Sequence, residues 1–234
     1  MRKRLLPEFT SSLTKAEALL ALLYLPVHII ILPEVLFMVD GGSLSDTAVN
    51  FAVYIIGAVY ILLVLGRFYR RDFDALCENV PLVIHEVLIG YGFFLCCNMI
   101  IDPLLYYAET ALASVQSVGN PNTDAVLELA EESTGTIAAM SVVLAPILEE
   151  GIFRAGVFGV LRRRNRTAAY IMSMLFFAAY HVWSFAVADP IYWIYIIEYL
   201  PISYMLCRVY ERTNSIWTSV FLHMMVNGVT MLLV

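Results

Sequence analysis

The sequence predicts an all-α membrane protein: a bundle of about seven transmembrane helices with its N-terminus in the cytoplasm. Three observations carry this. Hydrophobic residues make up 61% of the 234-residue chain and charged residues only 15%, with a mean hydropathy of +0.78. Soluble domains run at about 45–50% and about 25% on comparable counts. A soluble fold has too little interior for so much apolar surface, and disordered and nucleic-acid-binding classes are excluded with it. Second, the apolar runs are about 20 residues long, enough for a helix to cross a bilayer, and lack the period-two alternation of a strand. Third, the basic residues are confined to alternate loops.

The candidate spans are Ala16–Val39, Thr47–Leu65, Val80–Tyr107, Thr136–Leu161, Thr167–Val187, Pro190–Cys207 and Ser215–Val234. Arg2, Lys3, Arg4 and Lys15 precede the first, and Arg67, Arg70 and Arg71 follow the second. Arg162, Arg163, Arg164 and Arg166 join the fourth to the fifth, and Arg208 and Arg212 join the sixth to the seventh. Only Arg154 lies within a span. The other loops carry acids: Asp40, Asp46, Asp124, Glu128, Glu131, Glu132 and Asp189. The positive-inside rule then puts the N-terminus in the cytoplasm and the C-terminus outside. No repeat or linker divides the chain, so residues 1–234 form one membrane domain.

Taken in order, MRKRLL has the look of a signal-peptide n-region. The run after it is too long and too proline-marked for removal, and reads as a retained helix. Pro26 and Pro33 predict kinks there. His28 and Glu34, six apart, are a poor same-face pair and read as structural. Phe68–Asn79 reads as a short interfacial element. His85-Glu86 has no second histidine four residues on and reads as an interior polar contact, with a place on the entry path as the alternative. The outward stretch Ala108–Gly135 holds the turn signal Gly119-Asn120-Pro121-Asn122, and its TDAVLELA string (Thr123–Ala130) predicts a surface loop with a helical turn or two. Cys77, Cys96, Cys97 and Cys207 form no C-x-x-C pair or disulfide framework and read as apolar filler.

The informative residues are those that do not belong in lipid. An ionisable side chain deep in a span costs about 2.5–3.5 kcal/mol on insertion scales and faces the bundle interior. Glu149, Glu150 and Arg154 lie in the fourth span, His181 in the fifth, Glu198 in the sixth, and His223 with Asn227 in the seventh. At 1.5 Å per residue, Glu149 lies about 20 Å from the basic end, His181 about 22 Å, and His223 and Asn227 about 14 and 20 Å. Three helices thus deliver polar groups to one layer. His223 and Asn227 are i, i+4 and share a face, while Glu150 and Arg154 are i, i+4 in the favourable acid-before-base order. Glu149 is turned by about 100° from Glu150, toward the histidines.

A carboxylate beside an imidazole can take a proton from water. A second imidazole and a carboxamide can donate to an oxyanion. Together they suit an amide hydrolase working with activated water. The same set, two histidines with one or two carboxylates, also suits zinc. No serine or cysteine at this depth has a base beside it in sequence, which disfavours a covalent nucleophile; Ser173 and Ser203 are the remaining candidates.

These strings resemble the CPBP family of intramembrane proteases, which contains the CAAX prenyl endopeptidases and the bacterial Abi proteins. The resemblance rests on Glu149-Glu150-x-x-x-Arg154, Phe177-x-x-x-His181 and His223-x-x-x-Asn227 on successive helices, and covers about residues 136–234. It implies that Glu149 and His181 activate the water, that His223 and Asn227 line the oxyanion site, and that Glu150, Arg154 and Phe177 support them. It also implies a peptide or protein substrate that is lipid-embedded, lipid-modified or a leader, in a multi-pass protein of the cell membrane contacting membrane lipids and no nucleic acid. The family is described both as metal-dependent and as glutamate-dependent. The absence of H-E-x-x-H favours no cofactor; a bound metal would be zinc on Glu149, His181 and His223. Cleavage is expected near the inner half of the bilayer, from a wet cavity open to the cytoplasm and lined by residues such as Phe153, Tyr180, Trp183, Met224 and Met225. The competing readings are a transporter with the His/Glu layer as ion relay, and a non-catalytic immunity or scaffold protein.

Overall fold

A computed structural model describes residues 8–113 and 119–233. Arg2, Lys3, Arg4 and residues 114–118 of the Ala108–Gly135 stretch lie outside the described residues. Among the described residues the chain is helical throughout its regular structure, with no strand. The helices are α1 (Lys15–Asp40), α2 (Asp46–Glu78), α3 (Val80–Ala113), α4 (Pro121–Arg162), α5 (Arg166–Ala188), α6 (Ile196–Thr213) and α7 (Ile216–Leu233).

Six of these, all but α6, are long and apolar enough to cross a membrane. The expected span Pro190–Cys207 differs from its sequence reading. It divides into a 3₁₀ segment, Pro190–Tyr195, and α6, which runs on to Thr213. Glu198, Arg208, Glu211 and Arg212 keep the hydropathy of α6 low. A helix enclosed by others needs no apolar outer face, and α6 packs against α3, α5 and α7 with Leu206, Cys207, Val209 and Tyr210 fully buried.

Local chemistry sets the helix ends. Thr14 and Glu17 make a reciprocal capping box at the start of α1, and Ser45, Asn120 and Asn165 cap α2, α4 and α5. Gly41, at φ +68°, ends α1, a conformation open to glycine without penalty. Between Pro26 and Pro33 the chain makes a π turn, Val27–Ile31, which is the expected irregularity of this span. The Phe68–Asn79 stretch is no separate element: α2 continues through it to Glu78.

The largest departure is α4. The expected surface loop is a helix capped by Asn120, and it runs into the fourth span across a single break at Ser133 (φ −156°, ψ 86°). Beyond it the span winds through two π stretches, Ala139–Leu144 and Glu150–Phe158. Gly151 lets this span press against α2, since a Cβ there would lie 2.7 Å from Ile61 Cγ2 and 3.1 Å from the Tyr69 hydroxyl. That hydroxyl donates to the carbonyl of Ile147 at 2.6 Å.

The arginine-bearing end is tied shut. Asp72 accepts from Ser11 Oγ (2.6 Å), from the Ile216 N–H (3.0 Å) and from Arg71 (2.9 Å). Asn214 accepts from the Thr10 N–H at 2.8 Å, so the segment before α1 is strapped across the α6–α7 turn. Glu86, fully buried, accepts from Arg208 at 2.8 Å and Arg212 at 2.7 Å. Its neighbour His85 turns outward instead of making the expected interior contact, with a side chain 60% exposed. Arg162, Arg166 and Tyr170 all donate to Glu211.

Glu211 sits at the arginine end of α6, outside the membrane-spanning segments. Burial pushes its carboxyl up, but the hydrogen bonds from Arg166, Tyr170 and Arg162 win and hold it down at about 2. A depressed folded-state value contributes stability that is complete above the unfolded value, about 4.3, and lost as pH falls toward 2. Glu211→Gln is expected to lower the Tm in detergent at pH 7 by several degrees, on the order of 5 °C. It should also flatten the loss of Tm between about pH 4.5 and 2. Paired thermal melts across that range check both.

Candidate active site

The site grows from the fourth span. Glu149 ends a regular turn, Ala145–Glu149, and Glu150 opens the π stretch. A π turn advances the chain without the usual one-hundred-degree step and is frequent at functional sites. Here it aims two successive carboxylates at different atoms of one imidazole. Glu149 Oε2 lies 3.6 Å from His181 Nε2 on α5 and 3.9 Å from His223 Nε2 on α7. Glu150 Oε1 lies 2.9 Å from His223 Nδ1. Spacing alone turned Glu150 away from the histidines; the structure joins it to one of them.

Behind this layer Arg154 compensates the charge. Its Nε lies 3.1 Å from Glu150 Oε2, and both side chains are fully buried. None of its three nitrogens has hydrogen-bond geometry to an acceptor. Its guanidinium instead lies over the Phe177 ring, 4.2 Å from the centroid, where the π face takes part of the charge. Phe177 also contacts both histidine rings, at 4.4 Å (His181) and 5.6 Å (His223) between centroids. Its carbonyl lies 2.8 Å from His181 Nδ1. A carbonyl can only accept, so Nδ1 carries a hydrogen, and in the neutral ring it is Nε2, the nitrogen nearer Glu149, that has the free lone pair.

Asn227 stands apart from this contact set. Its Nδ2 donates to the Ser141 carbonyl at 2.8 Å, leaving the second amide hydrogen available. All of Glu149, His181, His223 and Asn227 line one cavity of about 490 Å³, and Phe177 forms part of its wall. Tyr180 and Trp183 line it as expected; Phe153, Met224 and Met225 do not. Glu198 lines it too, held by Asn120 Nδ2 at 2.9 Å.

The cavity extends away from the arginine-bearing end, the end at which the sequence reading placed its opening. Its far residues include Pro33, Asn50, Asn122 and Thr230, all in the halves of their helices remote from the arginines. The basic end is filled by the strap and its ion pairs, so a pocket has room only toward the acidic end. The first turns of α4 form part of the wall, through Asn122, Thr123, Val126 and Leu127.

Sequence reasoning set aside one residue that the structure places here. His28, read as structural, is 97% buried and lines the same cavity. The available signal was a histidine flanked by Pro26 and Pro33 within one span. Tyr54 also lines the cavity, its hydroxyl 3.2 Å from that of Tyr180.

The donor set of Glu149, His181 and His223 is chemically suited to zinc, with each Nδ1 tied and each Nε2 presented. Yet among the described residues no three His, Cys, Asp or Glu side chains are arranged to hold a metal ion.

Fold and site together define a multi-pass, all-α membrane protein whose ionisable residues converge inside the bundle. Residues 132–229, which hold the whole converged set, match the family described as type II CAAX prenyl endopeptidase Rce1-like. The chain is 28% identical over 173 residues to "Putative membrane peptidase YdiL" of Bacillus subtilis (strain 168), covering 72% of this chain and 64% of that one. It is 33% identical over 86 residues to "UPF0177 protein YaiH" of Lactococcus lactis subsp. lactis (strain IL1403), covering 37% of this chain and 32% of that one. The match thus spans less than two thirds of either relative. No solved structure matches the chain. Residues 132–229 are thus similar to a family of membrane endopeptidases, a match that covers less than half of the chain.

Removing Arg154 leaves the Glu150 carboxylate buried without its cation, a change that costs about 3–5 kcal/mol in comparable buried pairs. Arg154→Met, close in volume, is expected to lower the Tm strongly in detergent. The double substitution Glu150→Gln with Arg154→Met should recover part of that loss. Thermal unfolding of the three variants checks this.

Proposed function

We propose that this chain is an endopeptidase of the cell membrane that cleaves membrane-embedded, lipid-modified or leader-type peptide substrates with activated water. The observation that supports this most is the Glu149 carboxylate placed between two imidazole Nε2 atoms, 3.6 and 3.9 Å away, on the wall of a cavity of about 490 Å³. A water within reach of both Glu149 Oε2 and His181 Nε2 donates one hydrogen to each and turns its lone pair to the substrate carbonyl. Glu149 takes the proton as the water attacks.

His223 is the oxyanion donor. The Glu150 carboxylate accepts from Nδ1 and orients the ring, so that an Nε2–H points to the reacting layer when both ring nitrogens carry hydrogens. Arg154, 3.1 Å from Glu150, holds that carboxylate in place for the task. Asn227 offers its second amide hydrogen from one turn further along α7. Glu149 then returns its proton to the leaving amine, and the scheme is balanced with no cofactor. With the N-terminus in the cytoplasm, as the basic residues direct, the cavity mouth faces the outer leaflet, and substrate enters from that side.

Peptidomics of membranes carrying wild type against Glu149→Gln tests the reading. Products that depend on Glu149 should fall by about 100-fold or more, as for loss of a general base. His181→Ala should lose the same products, with both variants folded by thermal melt. Undiminished cleavage in both would refute the assignment.

A further inference from the structure

The proposed chemistry uses two of the three histidines on the cavity wall. His28 is the third. It comes from α1, whose sequence lies outside the stretch that matches the family. The π turn between Pro26 and Pro33 rolls its ring inward, leaving it 3% exposed.

The ring has no hydrogen bond. Nδ1 is buried without a partner. It faces the backbone of α2, where a Cβ on Gly57 would lie 3.3 Å from it and 2.9 Å from Leu148 Cδ2. Gly57 therefore makes room for the imidazole, and Leu148 sets the ring at the level of the turn that carries Glu149. Tyr54 meets it edge-on at 5.0 Å and Tyr180 stacks at 6.5 Å between centroids, but neither hydroxyl bonds to it; they bond to each other. With Nδ1 sealed against α2, Nε2 is the nitrogen left to meet a ligand.

A phenylalanine would fill this place without leaving a polar atom unpaired, so packing gives no reason for an imidazole here. A ligand in the cavity does. A peptide spread along the wall from the Glu149 layer presents carbonyl oxygens that accept from Nε2–H.

We propose that His28 is a substrate-positioning residue, holding a backbone carbonyl of the bound peptide away from the scissile bond. This rests on the protease reading above. It adds α1 to the substrate site, which the matched stretch lacks.

The test uses full-length protein in lipid vesicles and a quenched fluorescent peptide built on a cut site that depends on Glu149. His28→Phe keeps the ring and removes the donor. It should raise KM about tenfold, as one lost hydrogen bond does, with a much smaller change in kcat and an unchanged Tm. His28→Gln, which restores an N–H donor, should recover part of the KM. In a Glu149→Gln background, which binds without cutting, His28→Phe should weaken binding of the same peptide by a similar factor.

An unchanged KM in His28→Phe, a loss confined to kcat, or no recovery in His28→Gln overturns the proposal. The two readings fail differently. If Glu149→Gln is inactive while His28→Phe behaves as wild type, only the positioning role falls. If Glu149→Gln cuts as wild type does, the protease reading falls first.

Discussion

A buried charge must be answered where it sits, and in this bundle the answer is the line from His223 through Glu150 and Arg154 to Phe177. Two fully buried ions 3.1 Å apart are costly to desolvate and only partly repaid by their attraction. What completes the compensation is contact at both ends: the imidazole against Glu150, the aromatic face under Arg154. Four residues from three helices are thereby fixed in register. Glu149, one residue before the pair, inherits its position from them. The site is thus a by-product of charge compensation: the helices pack as they do because the pair needs partners, and the free carboxylate is left facing two imidazoles.

Much of this was legible in the sequence, for a physical reason. Lipid penalises ionisable groups, so each one in an apolar run marks an inward face. Glu149, His181 and His223 were found that way, and their convergence follows from depth. What escaped depends on partners far away in the chain. His28 looked like an isolated polar residue because the gap it occupies is made by Gly57 and Leu148 on other helices. The length of α6 was hidden because its charged half reads as a loop until Glu86, Arg162 and Arg166 are seen to pair with it. The π winding that splits Glu149 from Glu150 has no sequence signature, and a uniform 3.6-residue helix turns Glu150 the wrong way.

The two ends of the bundle solve opposite problems. At one, cations that cannot enter lipid are gathered onto Asp72, Glu86 and Glu211, and the segment before α1 is strapped over them. A polar stretch such as residues 8–14 reads as a tail; its backbone and hydroxyl groups make it a plug. At the other, acids such as Asp40 and Glu132 are met by hydroxyls, and the cavity lies on that side of the bundle. The segment from Pro121 to Ser133 lies along that opening, fastened by Asn120 to Glu198 and by Thr47 to Glu132.

The contact at Gly151 divides the molecule mechanically. With no side chain between them, α2 and the centre of α4 are pressed together and pinned by the Tyr69 hydroxyl on Ile147. They behave as an anvil: the carboxylates cannot retreat when something large enters. Any widening falls to the hammer side, where α1 bends at its prolines and the first turns of α4 join the rest through one non-helical residue.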